Sequence, residues 1–182
     1  MKTRNMILAA LFAALTAAGS FIRIPIGPVP ITLQNLFTLL SGILLGPGLG
    51  ALSQALYVLT GLFGLPVFAS GAAGFTALVS PSFGYLLGFI AASALTGAIC
   101  RRGKNSFIRI IAASCAGILA VYALGIPYLY LIFNYVMHAH VTFGTALKTG
   151  FLVFLPGDAL KCIAAAVIGS KIGPALRRYR KD

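Results

Sequence analysis

Acidic side chains are almost absent from this chain of 182 residues, which holds only two Asp or Glu, and tryptophan is missing altogether. Charged residues make up 9% of the sequence, whereas a soluble domain carries about 25%. This shortage excludes an ordinary globular enzyme, a disordered tail and a disulfide scaffold. The three cysteines lack the spacing of a metal or redox motif and are interpreted as small packed thiols: Cys100, Cys115 and Cys162.

Several chemical motifs are missing as well. The sequence has no Gly-x-x-x-x-Gly-Lys-[Ser/Thr] loop, which argues against ATP hydrolysis by this chain. It offers no paired carboxylates for acid–base work and no credible nucleophile–His–Asp set, so we do not expect an enzyme. His138 and His140 stand without a further metal ligand nearby and are interpreted as exposed loop residues. No basic segment alternates with aromatics, which argues against nucleic-acid binding.

Hydrophobic residues are abundant, at 59% of the chain with a mean hydropathy of +0.99. A membrane-spanning helix takes about 20 such residues. Apolar runs separated by Gly, Pro and charge predict an all-α integral membrane protein, a six-helix bundle that forms a single domain over residues 1–182. The second and third runs are short for a bilayer. The predicted spans are residues 6–22, 33–45, 49–63, 83–100, 107–126 and 156–174.

The positive charges are distributed unevenly over the predicted loops. If the N-terminus is cytoplasmic, 11 of the 14 Lys and Arg lie on the inner side, Arg23 and Lys148 lie outside, and Lys161 lies within a span. This bias predicts that both termini face the cytoplasm. It also accounts for the net charge of +12 without an acidic partner. The inner residues are Lys2, Arg4, Arg101, Arg102, Lys104, Arg109, Lys171, Arg177, Arg178, Arg180 and Lys181.

Three long connections, residues 24–32, 64–82 and 127–155, would then face outward. They carry several aromatic residues, so we expect them to fold back onto the bundle. The first 20 residues also resemble a signal peptide, because a basic start precedes an apolar run and small residues. The rest of the chain is itself polytopic, which makes a separate export signal unnecessary.

Asp158 and Lys161 stand three residues apart near the start of the last predicted helix. At this spacing their side chains share one helix face. A charge at bilayer depth costs about 2.5–3.5 kcal/mol on insertion scales, and pairing recovers part of that cost. Two interpretations remain open. The pair either fastens the last helix to its neighbours, or it faces a cavity near the outer surface and binds a neutral or amphoteric ligand.

Polar residues in the outer loops are further candidates for the lining of such a cavity. The stiff, proline-rich segment at residues 25–34 could cap it or could be a plain connector. Its polar members, with those that lead into the fourth helix, complete the predicted ligand-binding set: Thr32, Gln34, Ser80, Ser82 and Tyr85.

Alanines recur at every fourth position of the first helix, in two series, and such stripes let membrane helices approach closely. They serve packing within the bundle or docking of another membrane subunit. The series predicted for docking is Ala9, Ala13 and Ala17, and the second series is Ala10, Ala14 and Ala18.

Four motifs resemble the BioY family, the biotin-specific substrate-binding subunits of energy-coupling factor transporters. They follow one another from the first loop to the last helix, so the resemblance covers nearly the whole chain. The motifs are PVPITLQ at residues 28–34, GLPVF at 64–68, GYLLGF at 84–89 and LPGDALK at 155–161.

The resemblance implies a six-helix bundle in the cytoplasmic membrane that binds biotin from the outer side. It implies a transmembrane coupling protein and two cytoplasmic ATPases as partners, which use ATP, and no cofactor on this chain. The family's ligand-binding pair matches Asp158, which would accept from the ureido N–H groups, and Lys161, which would donate to the ureido oxygen or hold Asp158. The alanine stripe is similar to the family's coupling face. Thr32 to Gln34 would supply donors for the valerate carboxylate.

One motif departs from the family pattern, in which Gly-Pro-Thr-Gly-Gly-Tyr precedes the fourth helix. Here residues 80–85 read SPSFGY, so Ser82 replaces the threonine and Phe83 replaces a glycine. Phe83 would crowd the pocket or turn toward lipid. Alternatives to biotin uptake are the same architecture for another vitamin such as thiamin, a membrane scaffold without a small ligand and, more remotely, an intramembrane enzyme.

Overall fold

Helices occupy the apolar runs in a computed structural model that describes residues 3–26, 29–101 and 106–179. Six long helices begin and end within a few residues of the predicted runs, and a short one, α6, precedes the last. The helices are α1 (Thr3–Phe21), α2 (Gln34–Leu45), α3 (Pro47–Leu62), α4 (Phe83–Arg101), α5 (Phe107–Leu131), α6 (Phe143–Leu147) and α7 (Leu155–Tyr179). Several residues discussed above lie outside the described residues: Lys2, Pro28, Arg102, Lys104, Arg180 and Lys181.

Length and composition separate these helices. Among the described residues, three helices are long and apolar enough to cross a membrane: Thr3–Phe21, Phe83–Arg101 and Phe107–Val136. A fourth is added if the bent pair Phe143–Leu152 and Leu155–Gly173 counts as one span. The chain is thus a mostly helical protein with three to four candidate spans, and α2, with 12 residues, is shorter than a typical span.

Two of the long connections fold onto the bundle as short ordered elements. The first contains an antiparallel pair of two-residue strands, β1 (Arg23–Ile24) and β2 (Ile31–Thr32), with Arg23 opposite Thr32. The second, between α3 and α4, forms 3₁₀ turns at Ala69–Gly71 and Phe75–Val79. Phe68 in this second segment is buried, at 3% exposure, so the loop packs against the helices as predicted.

The third long connection is mostly helical, and here the sequence prediction was wrong. The span predicted at residues 107–126 stops before Pro127, but α5 continues through this proline to Leu131 and passes into a π-helical turn at Ile132–Val136. A proline inside a helix removes one backbone hydrogen bond. The residues beyond it are buried, with Leu129 at 0% and Phe133 at 9% exposure. Their burial outweighs the lost bond, so the helix persists.

α4 packs closely against its neighbours because it carries glycines at the contacts. A methyl group at Gly88 would stand 2.7 Å from Val121 Cα on α5, and one at Gly97 would stand 2.6 Å from the carbonyl carbon of Gly46, between α2 and α3. Small residues let membrane helices approach in this way. α4 therefore holds α5 on one side and the α2–α3 hairpin on the other.

A neutral polar cluster joins the first four helices inside the bundle. Nε2 of Gln54 on α3 lies 3.2 Å from each of the hydroxyls of Thr16, Ser41 and Ser53, which share its two hydrogens as acceptors. Gln54 Oε1 accepts from Thr38 at 3.2 Å. Such bonds satisfy groups that lipid and hydrocarbon side chains cannot. The Ser41 hydroxyl also bonds to the hydroxyl of Ser93 on α4, at 2.8 Å. We call this the Gln54 cluster; all its members are 0% exposed: Thr16, Thr38, Ser41, Ser53, Gln54 and Ser93.

Candidate functional site

Asp158 lies in the first turn of α7 and is 2% exposed. Its Oδ1 atom is 2.8 Å from Lys161 Nζ, one turn further along the helix. Asn35 Nδ2, at the start of α2, donates to Oδ1 at 3.0 Å and lies 3.2 Å from Oδ2. The hydroxyl of Tyr122, on α5, donates to Oδ2. These four residues, Asn35, Tyr122, Asp158 and Lys161, are named the Asp158 cluster.

The hydrogen-bond donors around Asp158 offset the free-energy cost of burying its charge. An ionised carboxylate has about four acceptor sites, and the contacts from Lys161, Asn35 and Tyr122 occupy them. Lys161 is itself 8% exposed, so both charges of the pair are buried. Three helices, α2, α5 and α7, meet at this one carboxylate. Removing either Asp158 or Lys161 alone would leave the other charge buried without its partner.

The cluster forms one wall of a cavity inside the bundle. Asn35, Tyr122 and Lys161 line it, while Asp158 lies directly behind them. The capping segments also contribute: Val29 and Pro30 come from the first connection, and Phe68 and Ala69 from the second. The remaining wall is largely hydrocarbon and aromatic, with Leu86, Phe89 and Phe154. The cavity suits a small ligand with a polar head and an apolar body.

Most of the predicted ligand-binding residues lie around this cavity. Thr32, Gln34, Ser82, Tyr85 and Lys161 are all in its lining. Their contact with a ligand stays a prediction.

Two of the predicted ligand-binding residues, Ser80 and Tyr85, form hydrogen bonds to other parts of the protein. Ser80 stands one step back from the cavity and bonds to Ser82 through the two hydroxyls, at 2.9 Å. The Tyr85 hydroxyl donates to the carbonyl of Gly150 at 2.9 Å. Tyr85 thereby ties α4 to the π-helical turn Lys148–Leu152 that precedes α7. Its ring meets Tyr122 edge-on, with the centroids 6.2 Å apart.

The lining residues that sequence reasoning did not select include Asn35, Tyr122 and Phe68. Asn35 directly follows the motif at residues 28–34, and an amide at a helix start was the available signal. Phe68 closes the motif at residues 64–68, where its apolar character suggested only loop packing. Tyr122 stands in a long apolar run, and only its hydroxyl, a group that needs a partner when buried, distinguished it.

Phe83, the residue that departs from the family pattern, neither crowds the cavity nor faces lipid. It is 4% exposed and packs against Tyr128 of α5, with ring centroids 5.9 Å apart. It is not among the residues that line the cavity. Both expectations for this side chain were wrong, because the start of α4 turns it toward α5.

The alanine stripe is split by burial. Ala9 is 0% exposed, and Ala13 and Ala17 are partly buried against the core. A fully buried Ala9 cannot meet a partner, so its assignment to a docking face is corrected to packing within the bundle. The exposed series is the neighbouring one: Ala10, Ala14 and Ala18.

Helices that can cross a membrane, together with a buried charged pair at an amphipathic cavity, define a membrane protein that binds a small solute. Comparison with known proteins gives the family. The family model of the BioY family matches residues 1–178, and the chain belongs to that family. This family consists of substrate-binding components of transporters and not of enzymes.

Named relatives and a solved structure agree with this assignment. The chain is 40% identical to the biotin transporter BioY of Thermotoga maritima, over 93% of this chain and 95% of the relative. It is 37% identical to the probable biotin transporter BioY of Lysinibacillus sphaericus, over 98% and 91%. A crystal structure of the S-component for biotin from an ECF-type ABC transporter matches with a TM-score of 0.80 and 31% identity, covering 100% of this chain and 93% of that chain.

Proposed function

We propose that this protein binds biotin with high affinity and acts as the substrate-specific S-component of an energy-coupling factor transporter. The observation that carries the proposal is the full-length likeness to the S-component for biotin, at a TM-score of 0.80. The cavity supports it independently, because its polar wall and its apolar wall fit a ligand with a ureido head and a hydrocarbon tail.

The Asp158 cluster is the proposed binding site for the polar head. Lys161, Asn35 and Tyr122 reach the cavity, and all three are oriented by the same carboxylate. Because Asp158 is already surrounded by donors, a ureido N–H reaches it only by replacing one of them. Lys161 keeps further donor hydrogens and can bind the ureido oxygen while it holds Asp158. Thr32, Gln34, Ser82 and Tyr85 complete the proposed ligand shell.

The proposed arrangement in the membrane has six spans, α1 to α5 and α7, with both termini cytoplasmic and the cavity near the outer face. Arg101 ends α4 and Arg109 lies in the first turns of α5, so both flank the same short connection. This fits a cytoplasmic loop. α2 is about 18 Å long at 1.5 Å per residue, and we propose that the β-hairpin before it completes the outer half of its span.

Energy would come from partner subunits. We propose a transmembrane coupling protein that docks on the exposed alanines Ala10, Ala14 and Ala18, and two cytoplasmic ATPases that hydrolyse ATP. The exposed stripe borders an apolar groove between α1 and α3, lined also by Phe21, Leu56 and Thr60. The variant Ala14→Leu should abolish co-purification with the coupling protein and leave ligand binding intact.

The direct test is titration of the purified protein with biotin and, separately, with thiamin. We expect nanomolar biotin affinity that excess thiamin does not reduce. Binding of thiamin in place of biotin would assign the fold to the other vitamin. Absence of binding by a folded wild-type protein would contradict the biotin assignment.

A further inference from the structure

One hydroxyl, that of Tyr57 on α3, connects the two segments that cap the cavity. Gln34 Nε2 donates to it at 2.5 Å, and it donates in turn to the carbonyl of Val67 at 3.2 Å. Gln34 follows strand β2, and Val67 lies in the segment between α3 and α4. Tyr57 is 1% exposed and Gln34 3%, so this is a buried connection shielded from solvent.

The backbone carbonyl of Val67 determines which atom donates in each of these hydrogen bonds. A carbonyl only accepts, so the single proton of the Tyr57 hydroxyl is committed to Val67. The hydroxyl oxygen is then left as an acceptor, and Gln34 must present its NH₂ group to it. The amide oxygen of Gln34 therefore points to Thr32, whose hydroxyl donates to it at 2.9 Å. The Ser20 hydroxyl also lies 2.8 Å from the Val67 carbonyl oxygen, and its single proton is shared between this oxygen and the Ala17 carbonyl at 2.7 Å.

The consequence reaches the cavity, because Gln34 lines it. Nε2 carries a second hydrogen, and among the described residues no acceptor bonds to it. Gln34 and Asn35 diverge from the start of α2: Asn35 turns to Asp158, and Gln34 turns to Tyr57. Gln34 thus adds an amide to the cavity lining, and its bond to Tyr57 determines which end of that amide is the donor.

We propose that Tyr57 is a positioning residue for specificity: it holds the Gln34 amide with its free N–H toward the cavity, so that this amide selects a ligand group that only accepts hydrogen bonds. The inference rests on the proposed function. In biotin such a group is the carboxylate or the ureido oxygen. A ligand that presents an N–H there would meet a donor opposite a donor, which is unfavourable in a buried site.

The test compares biotin with two analogues: biotinol, in which an alcohol replaces the carboxylate, and 2-iminobiotin, in which an imine replaces the ureido oxygen. Dissociation constants are measured for the wild type and for Tyr57→Phe. The variant loses only the hydroxyl and keeps the edge-on contact with Phe68, whose ring centroid is 5.6 Å away. The matched control is Tyr128→Phe, which removes a hydroxyl that donates to Leu78 O in the same capping segment and has no bond to Gln34.

We expect Tyr57→Phe to weaken biotin binding by about tenfold, the scale of one buried hydrogen bond. For one of the two analogues, the gap, that is, the ratio of its dissociation constant to that of biotin, should narrow by a similar factor. The analogue affected identifies the ligand group that Gln34 contacts. Tyr128→Phe should preserve both gaps. Gln34→Leu should narrow the same gap, and adding Tyr57→Phe to it should change little further, because Tyr57 acts through Gln34.

Equal weakening of biotin and both analogues by Tyr57→Phe would overturn the inference, as would no effect or full additivity with Gln34→Leu. If Tyr57→Phe fails to fold, Gln34→Leu decides the question alone: preservation of both gaps would overturn the inference. Failure of the wild type to bind biotin is a different result, which contradicts the proposed function itself.

Discussion

Two buried polar clusters in this protein differ in charge and in what lies beside them. The Asp158 cluster contains an ion pair and forms a cavity wall. The Gln54 cluster is neutral, is 0% exposed throughout and contributes no residue to the lining of that cavity. Both clusters join several helices through short side-chain bonds.

The difference indicates what each cluster does. Neutral groups that bond only to one another fasten helices at modest cost and are suited to a structural role. Burying a charge costs far more free energy, so a charged residue inside a membrane protein usually has a function besides helix association, such as ligand binding. We therefore assign ligand binding to the Asp158 cluster and helix association to the Gln54 cluster. Affinity and stability should separate accordingly.

The largest expected effect is on affinity, in the double variant Asp158→Asn with Lys161→Met. Removing both charges leaves no unpaired ion, so the protein should fold with a melting temperature near that of the wild type. Biotin affinity should fall by about 100-fold or more, because hydrogen bonds to charged groups contribute about 1.5–3 kcal/mol each. Calorimetric titration and a thermal melt check the two quantities.

The single variant Lys161→Ala provides the contrast. It leaves Asp158 charged and buried, and such a change costs about 3–5 kcal/mol. We expect a clear loss of thermal stability that the double variant does not show. Equal melting temperatures for the two variants would contradict the buried ion pair.

The next effect is the reverse case, Gln54→Leu. The hydroxyls of Thr16, Ser41 and Ser53 lose a shared donor and Thr38 loses an acceptor, which should lower the free energy of unfolding by about 1–3 kcal/mol. Biotin affinity should stay within about twofold. A thermal melt and a titration on the same preparation measure both quantities. A large loss of affinity with unchanged stability would contradict the assignment of helix association to the Gln54 cluster.

Tyr85→Phe is an intermediate case, because its ring lines the cavity while its hydroxyl bonds to Gly150. Losing that bond frees the turn before α7 and should weaken biotin binding by about fivefold. The dissociation rate measured by chase with unlabelled biotin should rise. An unchanged rate would show that the turn before α7 does not position the site.

Phe83→Leu should have the smallest effect. The side chain packs against Tyr128 outside the cavity, so a nearly volume-conserving change costs about 1 kcal/mol of stability. Affinity for biotin should not change. A measurable shift in the dissociation constant would place Phe83 in contact with the ligand.

Much of this picture could be predicted from the sequence, for reasons that can be stated. The helix bounds follow apolar runs whose ends carry Gly, Pro or charge, and Asp158 was conspicuous because acidic residues are so scarce. Pro127 misled the prediction, since a local rule could not weigh the burial of Leu129 beyond it. Asn35 and Tyr122 were missed because their importance arises from a carboxylate more than 30 residues away in sequence, which only the folded chain brings near.

Ala9 illustrates the remaining limit of the pattern. Its four-residue spacing with Ala13 and Ala17 is typical of a helix face that packs closely against another helix. The same periodicity also describes Ala10, Ala14 and Ala18, and only burial in the folded bundle distinguishes the inner series from the outer one.

The most direct test of the central claim is a biotin titration of two proteins side by side: the double variant Asp158→Asn with Lys161→Met, and the single variant Gln54→Leu. Melting temperatures are measured on the same samples. The account predicts that the charge-free double variant melts near the wild type but loses biotin binding, while Gln54→Leu melts earlier and keeps its affinity. Retained affinity in a folded double variant would contradict the assignment of the binding site to the Asp158 cluster.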